Sequence, residues 1–379
     1  MAPFADRNRY FQEIFDRKDL VIMGRNTNHL PSDSRIKAAL RQAIDTEIYH
    51  EYAPPGGIIE LQELIGEELG LPDAAVWITN GATEGLAQIT QLLLEGGQDL
   101  VTTDPGYPVM AAFARRREAS VIEVPIYDPS CGYRLSADRL AAALTSRTRI
   151  IYVVDPSNPM GSCLSLEEVR AVARLAQDSQ AVLVQDCTYR DFADKHTPAW
   201  KFYPEGTICI VSLSKGCGLA GLRVGAVVAH PDLVEQLTTP QSNHLGASVV
   251  AQVAAIAALR TKAEWFPAMF RLQREHQALL RAAVEAIPGF RVLVYPSQTN
   301  FLAVDVSGSG YHPAFLAAAL LERGVHIRHG GYNSPRFGDR FFRVGSTVPR
   351  AWVDRFVAEL GAVVREHPPG LPAPDRPLY

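Results

Sequence analysis

Residues 208–229 read Ile208-Cys209-Ile210-Val211-Ser212-Leu213-Ser214-Lys215-Gly216-Cys217-Gly218-Leu219-Ala220-Gly221-Leu222-Arg223-Val224-Gly225-Ala226-Val227-Val228-Ala229. Two apolar runs of strand length, Ile208–Val211 and Val224–Ala229, flank a loop too rich in glycine to be helical. That loop gathers two hydroxyls, one amine and one guanidinium. Hydroxyls and Arg donate to phosphate oxygens, and an amine forms an imine with an aldehyde. A lone loop lysine is ordinarily a solvated surface residue. Here the lysine directly follows a buried strand and shares its loop with groups suited to gripping phosphate.

Outward from this stretch the pattern alternates. Ile150–Val154 and Ala181–Val184 are further short apolar runs, and between them Ser165 and Glu168 stand at capping-box spacing, predicting a helix start. Another helix is predicted from about Glu60, with Leu61, Leu64, Ile65 and Leu69 on one face and Gly70 closing it. A third opens at Gly81-Ala82-Thr83, with Leu86, Ile89 and Leu93 as its apolar stripe. Buried strands separated by helices predict an α/β fold: a three-layer αβα sandwich around a mostly parallel sheet. Ligand-binding groups of such sheets gather in the loops after strand ends. Gly246–Leu259 reads as a buried helix. From about Lys262 the texture changes to a long helix (Trp265–Ile287), Pro288-Gly289 and a strand near Phe301–Val306, which predicts a smaller α+β unit ending near Val364. We assign 48–271 to the large unit, and 1–47 with 272–379 to the small one. His367–Tyr379 holds five prolines and is expected to be an irregular tail.

Composition narrows the function classes. In 379 residues, 47% are hydrophobic and 21% charged, ordinary for a globular protein that buries a sizeable core. A net charge of −4 offers no electrostatic attraction to nucleic acid or an anionic membrane. Met1–Lys18 lacks the apolar core of a signal peptide, and no apolar run is long enough to span a bilayer. Five cysteines without metal-like pairing fit a reduced, cytoplasmic setting.

Ser212-x-Ser214-Lys215-x-x-Gly218-Leu219-x-Gly221-x-Arg223-x-Gly225 resembles the signature of fold-type I pyridoxal 5'-phosphate (PLP) enzymes of the class I/II aminotransferase family. The resemblance runs from about Asn26 to Val364 and implies the PLP-dependent transferase fold. It implies that Lys215 holds the cofactor as a Schiff base and that Ser212, Ser214 and Arg223 bind its phosphate. Thr79-Asn80-Gly81-Ala82-Thr83 resembles the family's phosphate cup, where amides at a helix N-terminus meet an anion. Asp104-Pro105-Gly106-Tyr107-Pro108 is similar to the segment whose aromatic side chain, here Tyr107, stacks on the cofactor ring. Asp155-Pro156-Ser157-Asn158-Pro159-Met160-Gly161 resembles Asn-x-x-Asn-Pro-Thr-Gly, which implies that Asn158 bonds the phenolic oxygen and borders the substrate. Val184-Gln185-Asp186-Cys187-Thr188-Tyr189 is similar to Asp-Glu-x-Tyr, making Asp186 the partner of the ring nitrogen and Tyr189 a second bond to the phenolic oxygen. Phe341-Phe342-Arg343-Val344-Gly345 matches the late Arg that grips the α-carboxylate. Tyr52 through Gly57 resembles a stretch reaching the neighbouring subunit's phosphate, which implies a homodimer. Asn26-Thr27-Asn28-His29-Leu30-Pro31 is similar to a histidinol-phosphate aminotransferase-like branch, with His29 and Pro31 as departures. Other departures are Asp155, Cys187 and Met160, the last expected to alter the pocket wall.

By resemblance the chain is a PLP-dependent aminotransferase of an α-amino acid, working by Schiff-base exchange at Lys215, without a metal. The same residues would serve a decarboxylase, an eliminating or replacing enzyme, or a carbon–carbon bond-forming enzyme of specialised metabolism. A third reading, a sensor module of a transcriptional regulator, calls for an N-terminal DNA-binding domain, and only about two dozen residues precede the first match. Gly24 falls where backbone approaches substrate in such enzymes. His244, His326 and His329 have no metal-ligand spacing and are left unassigned. Arg115-Arg116-Arg117 reads as a solvated helix face.

Overall fold

The computed structural model describes residues 4–239 and 245–373. Residues of the central strands of the large unit are apolar on both faces. Ile208 and Ile210 enter one core while Cys209 and Val211 enter another, and Ile150, Tyr152 and Val154 likewise oppose Ile151 and Val153. A period of two that is apolar on both sides needs helices above and below. Each such side chain fully buried contributes roughly 1.5–3 kcal/mol. The result is a seven-stranded sheet in the order Ala75–Thr79, Gly225–Ala229, Thr207–Ser212, Val182–Asp186, Thr148–Val154, Asp99–Asp104, Ser120–Pro125. Only Gly225–Ala229 runs against its neighbours. The other six strands point the same way and so deliver their following loops to one edge.

The helices form where their signals stand. Ile59–Leu69 ends at Gly70, in the left-handed region. Leu166–Asp178 starts at Ser165 with the reciprocal capping box to Glu168 formed. Ala82–Leu93 begins at Gly81, whose φ of +80° suits a residue without a Cβ. The apolar stretch after Gly246 is the helix Val249–Arg260, capped by Ser248 and largely buried.

The small unit is a four-stranded antiparallel sheet, ordered Arg328–His329, Phe341–Gly345, Phe301–Asp305, Arg291–Val292, under the helices Pro313–Glu322 and Arg350–Glu366. Val21–Ile22 pairs in parallel with Val325–His326, joining the N-terminal segment to this unit. Two features differ from the assigned boundaries. Ser34–Asp45 packs on Val249–Arg260, with Ile36 buried in the large unit's core, so residues 34–45 go with that unit rather than with 1–33. Lys262–Glu285 is one continuous helix running through position 271, so the change of unit falls inside a helix and not in a linker. Beyond Glu366 no regular element follows as far as residue 373, although the Tyr311 hydroxyl donates to the carbonyls of Val364 and His367.

Candidate active site

A cavity of about 440 Å³ lies at the edge where the parallel strands end, between the two units. Five of the six co-directional strands lead into residues that line it: Ala82 and Thr83 at the helix start after Ala75–Thr79, Tyr107 after Asp99–Asp104, Asn158 after Thr148–Val154, Thr188 and Tyr189 after Val182–Asp186, and Ser214 with Lys215 after Thr207–Ser212. Asp186 and Ser212 line it from the last residues of their strands, Arg223 from the glycine loop, and Arg343 from the small unit.

Lys215 Nζ donates to the Arg25 carbonyl at 3.3 Å. Burial, then the charges of Arg343 and Arg223, bring its amine down to about 8, opposed by Asp186. Asp186 is buried, and no basic side chain among the described residues ion-pairs with it. It accepts from the Tyr152 hydroxyl (3.0 Å) and the Thr188 amide (3.0 Å). Burial raises its pKa, while these donors and the Lys215 charge favour the carboxylate. Such a carboxylate facing a cavity fits a cationic N–H.

Opposite chemistry occupies the cup end. Arg223 sits in the left-handed region at φ +58°, held by bonds from its guanidinium to Ala220 O (3.0 Å), Ser214 Oγ (3.4 Å) and Asn80 O (3.4 Å). A Cβ on Gly81 would lie 2.3 Å from Arg223 Nη2, and one on Gly225 would lie 2.7 Å from the Ala82 nitrogen and 2.6 Å from Val211 O. The two glycines therefore let the cup and the lysine loop close together. The unpaired first amides of Ala82–Leu93, the Thr83 hydroxyl, the Ser212 and Ser214 hydroxyls and Arg223 make a donor set for a dianionic phosphate. With Asp186 across the cavity, the residues present fit PLP.

Asn158 Oδ1 accepts from Arg343 Nη1 at 2.6 Å, and Arg343 Nε is buried without a partner. Burial lowers Arg343 to about 10. The Tyr189 hydroxyl accepts from Asn26 Nδ2 at 3.0 Å and is pushed up to about 12 by burial. Burial also raises Tyr107. Tyr52 is 78% exposed and does not line its own chain's cavity.

The departures from the family pattern lie behind the wall. Met160 is buried in the core beneath the sheet edge and does not line the cavity, correcting the expectation that it alters the wall. Asp155 accepts from Leu164 N (2.9 Å) and Gln185 Nε2 (3.0 Å), bracing the turn that carries Asn158. Cys187 packs in an apolar cluster with Leu213 and Cys217. His29 meets Thr27 Oγ1 at 2.7 Å, His326 is buried and pushed down to about 3 by desolvation, and His329 Nδ1 accepts from Gly331 N. None of these three lines the cavity, and His244 lies outside the described residues. Gly24 does line it, and a Cβ there would meet Ile327 C at 2.6 Å. Arg115 and Arg116 are exposed, and Arg115 pairs with Glu123.

Sequence reasoning passed over Tyr152, Arg25, Arg328 and Tyr332. Tyr152 alone carried a signal, being a polar aromatic inside an otherwise aliphatic buried strand. The others approach the cavity only through the small unit.

Fold and cavity together define a fold-type I enzyme, and the chain belongs to the family described as aminotransferase class I and II, which matches residues 18–360. Among its relatives, histidinol-phosphate aminotransferase of Methanopyrus kandleri is 31% identical over 324 residues, covering 82% of this chain and 80% of that one. Aspartate aminotransferase of Pyrococcus horikoshii is 28% identical over 351 residues, 88% of each. Among solved structures, N-succinyldiaminopimelate aminotransferase of Mycobacterium tuberculosis superposes with a TM-score of 0.84 at 26% identity, covering 95% of this chain and 97% of that one.

Proposed function

We propose that the protein is a PLP-dependent aminotransferase acting on an α-amino acid. One observation carries the proposal: a buried amine of lowered pKa, Lys215, and a buried carboxylate with no ion pair among the described residues, Asp186, reach a single cavity from separate segments. When bound, PLP supplies an aldehyde for the substrate amine and a ring that spreads carbanion charge.

In this reading Lys215 Nζ would hold the cofactor's aldehyde in the resting enzyme and, once free, would serve as the general base for the Cα proton. Asp186, whose Oδ1 and Oδ2 accept from the Thr188 amide and the Tyr152 hydroxyl, would keep a proton on the nitrogen of a bound cofactor ring. Tyr107 would face the ring. Asn158 and Tyr189 would bond its phenolic oxygen. Gly81, Ala82, Thr83, Ser212, Ser214 and Arg223 would hold the phosphate, while Arg343 with Asn158 would take the α-carboxylate. Exposure of Tyr52 away from its own cavity supports a homodimer in which it completes the partner's phosphate site. Five free cysteines support a reduced, cytoplasmic location, and no described helix is long and apolar enough to cross a membrane.

The test mixes holoenzyme with single amino acids and measures products by mass spectrometry. One equivalent of keto acid per site without an acceptor, and continuous turnover once a second keto acid is added, is the expected result. Release of carbon dioxide, or of ammonia with turnover needing no acceptor, would instead identify decarboxylation or elimination.

A further inference from the structure

Asn26 lines the cavity, yet the proposed chemistry gives it no task. It is buried and holds a left-handed backbone at φ +53°, a conformation that asparagine tolerates better than most residues. The small unit braces that conformation. Buried Asn300 Nδ2 donates to the Asn26 carbonyl at 3.0 Å and to Thr347 Oγ1 at 2.9 Å, and Thr347 Oγ1 donates to the Thr27 carbonyl at 3.3 Å. An unusual backbone held by buried bonds points to a side chain whose place matters.

That side chain ends on Tyr189, which the large unit carries and Phe301 meets edge-on at 5.4 Å. Asn26 Nδ2 donates to the Tyr189 hydroxyl oxygen at 3.0 Å, the one hydrogen bond of the Asn26 side chain among the described residues. Turned round, the amide would accept the hydroxyl proton and strand a buried NH2, a rarer outcome than an unpaired oxygen. An oxygen that accepts from Asn26 sends its own proton elsewhere. Among the described residues the Tyr189 hydroxyl donates to no acceptor, and the cavity it lines is the direction left. Burial, opposed by the Arg343 charge and the Asn26 bond, pushes the hydroxyl up to about 12, so it has a proton to give at neutral pH.

We propose that Asn26 is a positioning residue for Tyr189: by filling the acceptor side of the hydroxyl, it aims the Tyr189 proton at the phenolic oxygen of a bound cofactor. The inference rests on the PLP reading of the cavity. Loss of that donor leaves more negative charge on the phenolic oxygen, which then holds more tightly the proton it faces on the Lys215 nitrogen of the resting enzyme. The visible absorbance of the bound cofactor follows that proton and should therefore titrate at higher pH.

Holoenzyme is titrated with pH in a spectrophotometer, without substrate, as wild type, Asn26→Gly, Tyr189→Phe and the double variant. Glycine adopts the left-handed backbone freely, so Asn26→Gly deletes the amide and keeps the turn. It should raise the midpoint by about 0.5–1 pH unit, the scale of one hydrogen bond, and Tyr189→Phe should raise it by at least as much. The double variant should match Tyr189→Phe within about 0.3 unit, since two changes that act through one bond do not add. A midpoint unmoved or lowered in Asn26→Gly, or a shift that adds in full to that of Tyr189→Phe, overturns the positioning role alone. A wild-type protein that takes up no PLP, or takes it up without a pH-dependent visible band, overturns the PLP reading and the positioning role with it.

Discussion

Lys215 is held in a site that disfavours its own protonated form, and this has consequences for the cofactor-free protein. The unfolded chain protonates this lysine below about 10.5 and the folded one below about 8. Between those values the unfolded state binds more protons, so stability rises with pH across that window. The cost of burying the amine beside Arg343 and Arg223, about 3 kcal/mol, is fully present below about 8 and relieved above about 10.5. Cofactor-free Lys215→Met protein should therefore melt higher than wild type at pH 7, with the gap narrowing as the pH rises from about 8 toward 10.5; a gap independent of pH in thermal melts would contradict the assignment. At Asp186 the expected losses are graded. Asp186→Asn should reduce turnover at least about 100-fold by removing a preorganised charge. Tyr152→Phe, which removes one of the bonds to that carboxylate, should cost about 2–10-fold in kcat and leave the fold intact.

At the scale of elements, close approach of two loops matters more than the stability of any one helix. Gly225 lies where a Cβ would press on the Ala82 nitrogen and Val211 O at once. Gly225→Ala should separate cup from lysine loop and weaken PLP binding at least tenfold, as measured by equilibrium dialysis. Ser165→Ala removes one side of a capping box on a helix away from the cavity. It should destabilise the protein by about 1 kcal/mol in urea unfolding while leaving PLP affinity unchanged. The contrast separates positions that build the site from positions that only hold up its scaffold.

At the scale of the whole molecule the proposed dimer makes a sharp prediction. Lys215→Ala and Tyr52→Ala chains should each be impaired alone. Co-expressed, their mixed dimers should recover activity, because one cavity then combines an intact Lys215 with an intact Tyr52 from the partner subunit. Isolated mixed dimers, separated by distinct affinity tags, provide the measurement, and no recovery would place Tyr52 outside the site. The helix Lys262–Glu285 and the strand pair Val21–Ile22 with Val325–His326 tie the two units together on this scale. Arg343 thus meets Asn158 across a boundary between distant stretches of chain.

Local chemistry was legible from residues alone: buried runs of strand length, Gly70 and Ser165 as helix punctuation, and the ordered motif from Ser212 to Gly225. These depend on neighbours a few positions away, where backbone sterics and hydrogen bonding leave few choices. The outer strands Asp99–Asp104 and Ser120–Pro125 were not picked out, because Asp, Thr, Glu and Ser interrupt their apolar pattern and only pairing in the sheet makes them strands. Ser34–Asp45 was set with the small unit for a related reason, since Ile36 finds its core only after the chain has folded back on Val249–Arg260. The tertiary structure alone decided that Met160 lies behind the wall, that Tyr152 braces Asp186, and that Arg25 and Arg328 share a cavity with Lys215. These relations are set by packing between segments as much as 300 residues apart, which no local pattern encodes.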